Sequence, residues 1–189
     1  MRTILKVNWD SNLPIYAISQ SELQKKGIHS LLLDVDGTLI NRKSNIIPKD
    51  VKNWIRESKK FFSLYLISNN PSKKRIAKIA KELNLRYKYN ASKPSKKVTM
   101  NVIKEVNYEV KNISIIGDRI FTDIIVCNRC NIKTILVKRL NRNGLPIKFN
   151  LTLTIEKLIG IRIYQYMRFL NLNYKKKKFI VYYLTLMEL

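Results

Sequence analysis

Apolar residues fall along the chain in two alternating patterns. Between residues 31 and 137, short unbroken apolar runs alternate with segments whose apolar positions recur every three or four residues. Leu31-Leu32-Leu33 is the first run, and it stops at Asp34. Ser63 to Ile67 (SLYLI), Ile113 to Ile116 and Thr134 to Val137 are of the same kind, and Arg86 to Asn90 is a weaker one. Such runs suit parallel strands buried on both faces. Between them, Val51, Trp54 and Ile55 share a helical face behind Pro48. Ile76, Ile79, Ala80 and Leu83 share a second face, and Val98, Val102, Ile103 and Val106 a third. Asn70-Pro71 reads as the N-cap and first residue of the second helix. Thr122 to Asn131 reads as a last helix. The alternation predicts an α/β fold, with a central parallel, Rossmann-like sheet between two helical layers.

In such sheets ligands gather at the carboxyl ends of the strands. The first run ends in Asp34-Val35-Asp36-Gly37-Thr38. Two carboxylates at i and i+2 on an unwinding strand end repel each other, so they need a cation or a shared proton. The second run ends in Ser68-Asn69-Asn70, a hydroxyl and free backbone N–H groups before a helix. Here Asn70 reads as a cap, and Asn69 is open between capping and the site. Lys93 follows the weak run, before Pro94, and Gly117-Asp118 with Asp123 ends the fourth. Carboxylates suit Mg²⁺, a hard cation, while a hydroxyl and an ammonium suit a phosphoryl group. The set implies phosphoryl transfer to a carboxylate.

These residues resemble the four motifs of the haloacid-dehalogenase (HAD) superfamily of phosphatases, in order and across residues 31 to 137. LLLDVDGTLI, LISNNPSKKRI, ASKPSKK and IIGDRIFTDIIVCNR are most similar to the YqeG-like phosphatidylglycerophosphate phosphatases (subfamily IIIA) of cyanobacterial and plastid type. The resemblance implies that Asp34 is the nucleophile and forms an aspartyl-phosphate. Asp36 would protonate the leaving oxygen, then activate water. Lys93 would stabilise the nucleophile, and Ser68, Asn69 and Lys93 would bind the substrate phosphate. Asp34, Asp36, Asp118 and Asp123 would hold Mg²⁺, Asp36 through its carbonyl and Asp123 through water or by orienting Lys93. Thr38 would fix the turn of the first motif. The gaps Leu39–Ile67 and Asn69–Ser92 leave no length for a cap domain. A capless three-layer sandwich with an open site is expected, fit for a phosphate displayed on something large.

Charge extends the picture. Lys plus Arg number 37 against 13 Asp plus Glu, a formal charge of +24, which attracts phosphates of lipid or nucleic acid. No recognisable RNA-binding module accompanies it, so a nucleic-acid partner is not expected. Residues 1–150 read as the phosphatase domain and 151–189 as a basic, partly apolar extension. Leu158, Ile159, Arg162, Ile163, Tyr166, Met167 and Leu170 have helical spacing, and Lys175–Lys178 precede the apolar Phe179–Met187. This stretch either packs on the sheet or lies on an anionic bilayer. No run is long enough to span a membrane. Arg119 stands evenly between a substrate phosphate and solvent. Cys127, Cys130 and the single histidine, His29, read as structural. The expected protein acts on a phospholipid at a membrane face, in the cytoplasm or plastid stroma. A phosphatase for another ester, or a non-catalytic binding protein of the same fold, are the alternatives.

Overall fold

A computed structural model describes residues 6–148 and 150–169. Six strands form one sheet, β1 Trp9–Asp10, β2 Ser30–Leu33, β3 Ser63–Ile67, β4 Arg86–Lys88, β5 Ile113–Gly117 and β6 Lys133–Leu136. Their order is β1-β6-β5-β2-β3-β4, and every pairing is parallel. Among the described residues six α-helices accompany them: α1 Gln20–Lys25, α2 Lys49–Ser58, α3 Lys73–Leu83, α4 Lys96–Val106, α5 Ile125–Cys130 and α6 Leu151–Phe169.

The apolar runs occupy the centre, as their continuity requires. Side chains alternate across a strand, so each run feeds two cores. Leu31 and Leu33 enter one core with Val51, Trp54 and Ile55 of α2 and Ile76, Ile79, Ala80 and Leu83 of α3. Leu32, Ile113 and Ile115 enter the other with Val102, Ile103 and Val106 of α4 and Val126, Cys127 and Cys130 of α5. The result is a three-layer sandwich. α2 and β3 with their loops fill the first inter-motif gap, and α3 with β4 fills the second, so among the described residues neither gap holds a cap. Cys127 and Cys130 are buried free thiols on α5.

Register positions the chemistry. Leu33 pairs with Leu66 of β3 and with Ile116 of β5. Three central strands therefore end at one level and deliver Asp34, Ser68 and Asp118 side by side.

Two local readings need correction. The cap of α3 is Ser72, whose hydroxyl accepts from the Arg75 N–H, and not Asn70. The helix expected over 122–131 begins instead as a π-helical turn, Ile120–Ile124, which passes into α5. The N-terminal segment is also part of the fold. It adds β1 at an edge and α1, pinned by the Trp54 indole N–H, which donates to the Ile18 carbonyl at 2.7 Å.

The extension begins as α6. Its Leu153 packs toward the π-helical turn and its Glu156 is buried. Leu158 and Ile159 are exposed. The lysine run at 175–178 and the apolar stretch at 179–187 lie outside the described residues. Among the described residues no helix is long and apolar enough to cross a membrane.

Candidate active site

Asp34, Asp118 and Asp123 converge at the strand ends, with one oxygen of each within 4.8 Å of the others. All three are buried. Two glycines make this possible. A Cβ on Gly37, whose φ is +102°, would stand 2.6 Å from an Asp118 oxygen, and a Cβ on Gly117 would stand 2.4 Å from the Asp123 carboxylate. The π-helical turn lets Asp123 fold back under its own strand end, where it accepts from the Arg119 backbone N–H at 3.3 Å.

Lys93 is the hub of the trio. Its Nζ donates to Asp34 Oδ1 and to Asp123 Oδ1, both at 2.6 Å, and to the Ile67 carbonyl at 3.1 Å. Burial pulls its pKa down, but the Asp123 and Asp34 carboxylates more than offset this and leave it raised, so Lys93 is a fixed cation. Asn69 holds the Lys93 backbone from both sides. Its Oδ1 accepts from the Lys93 N–H and its Nδ2 donates to the Lys93 carbonyl, each at 2.7 Å. Thr38 Oγ1 stands 3.3 Å from both Asp34 Oδ2 and Asp118 Oδ1, tying the first strand end to the fourth.

Lys93 and Arg139 pair with the trio, Arg139 Nε donating to Asp118 Oδ2 at 2.6 Å, and the Arg119 charge acts on Asp118 as well. Burial raises the Asp34 pKa from 3.8 to about 7, against the pull of Lys93, and Asp123 and Asp118 add repulsion. Burial likewise lifts Asp118 to about 6, against Arg139. Three buried carboxylates crowded at one point, two of them with raised pKa values, fit a hard cation with oxygen preference. The buried acidic trio can hold a metal ion.

Asp36 stands apart from the trio. Its Oδ1 accepts from Arg75 Nη1 at 2.7 Å and its Oδ2 from Asn70 Nδ2 at 2.8 Å. Ser68 is buried, and its hydroxyl accepts from the Asn70 N–H at 3.1 Å. It does not line the cleft, which is bordered by Asp34, Asp36, Asn69 and Lys93 and by a basic rim that includes Arg42, Arg119 and Arg139. The cleft measures about 80 Å³. Pockets that enclose a drug-sized ligand run from about 300 to 1,000 Å³. A volume of this size matches a group as small as a phosphoryl, not a whole drug-sized ligand.

Sequence reasoning missed Arg75, Arg139 and Glu156. Arg139 had a usable signal, for it follows the end of β6 as the other site residues follow theirs. Glu156 had none. Its Oε2 accepts from the Ile120 N–H at 2.7 Å, and its Oε1 from Arg119 Nε at 3.3 Å. It fixes the start of the turn that presents Asp123, and places Arg119 between α6 and the cleft. Glu156→Ala leaves a buried N–H without its acceptor, a loss of about 1–3 kcal/mol. The expected result is a lower urea midpoint and reduced turnover. Glu156→Gln, which keeps the acceptor, is expected to retain most of both.

A family model described as "Mitochondrial PGP phosphatase" matches residues 1–140. "Probable phosphatase YqeG" of Bacillus subtilis (strain 168) is 25% identical over 138 residues, which cover 72% of this chain and 80% of that protein. Among solved structures, an uncharacterized protein from Listeria monocytogenes serotype 4b superposes with a TM-score of 0.50 at 17% identity, over 67% of this chain and 86% of that one.

Proposed function

The chain belongs to the PGP phosphatase family and is a phosphatase of the HAD type, and on that premise we propose that it hydrolyses phosphatidylglycerophosphate in an anionic membrane to phosphatidylglycerol, with Mg²⁺ as cofactor. The observation that carries the reading is the convergence of Asp34, Asp118 and Asp123 around Lys93 at the floor of a small, capless cleft.

Asp34 is the nucleophile. Lys93 on one oxygen and Thr38 on the other aim its carboxylate along the cleft. An Asp34 oxygen bonds to phosphorus as the bond to the leaving alcohol breaks. Asp36 gives that alcohol its proton. Asp36 then takes a proton from water, which attacks the aspartyl-phosphate and frees inorganic phosphate. Arg75 on one Asp36 oxygen and Asn70 on the other hold its carboxyl group in place for these transfers. Lys93 offsets charge on the transferring phosphoryl group, with Ser68 and Asn69 organising the loop around it. Asp34, Asp118, Asp123 and the Asp36 carbonyl would hold Mg²⁺, which when bound neutralises phosphoryl oxygens. The cytoplasmic or plastid-stromal face of a membrane is the proposed location, on the strength of the basic charge and the lipid substrate.

Metal and pH should be linked. Asp34 and Asp118 have raised pKa values in the folded, metal-free protein. The folded state therefore binds the extra protons. Its stability from these groups is full below the ordinary value of 3.8 and is lost as pH rises through about 6 and about 7. A bound dication offsets that loss only where the carboxylates are ionised. Mg²⁺ is expected to raise the melting temperature by about 4 °C or more near pH 8, and by much less near pH 5. Equal shifts at both values would remove the trio as the metal site. Mg²⁺-dependent release of phosphate from a soluble phosphomonoester tests the chemistry itself, and its absence would overturn it.

A further inference from the structure

Two loops flank the cleft and are built alike. Residues 41–49 follow the first motif, and residues 138–148 follow β6. They are bound together. The Asn41 side-chain amide donates to the Leu140 carbonyl at 3.0 Å, and Gly144 lies so close to Pro48 that a Cβ there would stand 2.6 Å from its ring. Each is anchored from below by a fully buried apolar residue, Ile47 in one and Leu140 in the other. Each also presents one apolar side chain to solvent, Ile46 at 79% exposure and Leu145 at 56%.

Charge is one-sided here. The first segment holds three Lys or Arg and the second four, and neither holds an Asp or Glu. Arg42, Lys43, Lys49, Arg142 and Lys148 are all exposed. A hydrophobic tip ringed by cations has no use inside this fold, because nothing described covers it. It matches the boundary of an anionic bilayer, where apolar groups enter the acyl region and cations meet headgroup phosphates. Internal bonds keep this face in register with the chemistry. Arg75 Nη1 holds Asp36, while its Nη2 donates to the carbonyls of Asn41, Arg42 and Ser44 at 3.0–3.4 Å.

We propose that the paired loops 41–49 and 138–148 are the membrane-docking surface, with Ile46 and Leu145 as the inserted side chains and the surrounding cations on lipid phosphates. This rests on the cleft being the lipid phosphatase site, but docking is read separately from turnover. The capless cleft then opens directly onto the headgroups, and substrate need not leave the bilayer.

The test uses full-length protein and vesicles of phosphatidylcholine with and without phosphatidylglycerol. Wild type is expected to partition onto the anionic vesicles only. Ile46→Asp/Leu145→Asp is expected to partition about tenfold more weakly or worse, with hydrolysis of soluble p-nitrophenyl phosphate unchanged. Lys43→Glu/Arg142→Glu, which leaves the apolar tips in place, should weaken partitioning similarly. Wild-type partitioning by both variants would overturn the proposal, as would wild type that ignores anionic vesicles but binds single-stranded RNA. Docking on these loops without hydrolysis of phosphatidylglycerophosphate would instead leave the surface standing and remove the substrate.

Discussion

Asp34→Asn is expected to abolish phosphate release from every phosphomonoester while leaving the fold intact. An amide cannot form the acyl-phosphate, so the step is lost outright, a fall of about 10⁴-fold or more. Stability should respond quite differently. Burial and the neighbouring Asp123 and Asp118 charges disfavour the Asp34 carboxylate, while Lys93 favours it. The substitution removes both influences, and Lys93 keeps Asp123 as its partner. The melting temperature in the absence of metal should therefore move by only a few degrees, about what 1 kcal/mol produces in a chain of this size. Acid quenching after brief exposure to a substrate labelled in its phosphoryl group is expected to trap label on wild type and none on the variant. A variant that still turns over substrate would strip Asp34 of its role.

Lys93→Met should have the largest effect on stability. In the metal-free protein this cation pairs with both Asp34 and Asp123, and it donates to the Ile67 carbonyl as well. Removing one partner of a buried ion pair costs about 3–5 kcal/mol, because the remaining charge is left without compensation. Protonation of Asp34, already raised to about 7, softens the loss toward acid pH, so the deficit should be greater near pH 8 than near pH 5. The check is urea denaturation at both values. Mg²⁺ should narrow the gap, since a dication on the trio replaces part of the missing charge. Turnover should fall with either outcome for stability, because the phosphoryl group loses its fixed cation. A midpoint equal to wild type would mean that the ammonium does not compensate these carboxylates.

Much of this architecture was legible from residue order. Leu31-Leu32-Leu33, SLYLI and Ile113 to Ile116 read as strands buried on both faces, and their equal ends carry Asp34, Ser68 and Asp118 to one level. The four carboxylates and Lys93 followed from asking what sits at those ends. What escaped has physical reasons. β1 is two residues long at a sheet edge, too short to show a period. The π-helical turn at 120–124 comes from the need to bring Asp123 back to Lys93, a tertiary contact that no local propensity records. Asn70-Pro71 has the form of a helix start, yet the Asn70 amide is drawn to Asp36 and the cap falls to Ser72. Arg75 is one cation among 37, and only the folded chain shows that it bridges Asp36 and the 41–44 loop. Glu156 sits in a helix that exposes Leu151, Ile155, Leu158 and Ile159 while it buries this carboxylate, which inverts the usual pattern.

The most direct measurement is phosphate release from phosphatidylglycerophosphate carried in vesicles, with Mg²⁺, by wild type and by Asp34→Asn. Release by wild type and none by the variant is the predicted result, and it would establish substrate and nucleophile together. Release from a soluble ester alone, or equal release by both proteins, would contradict it.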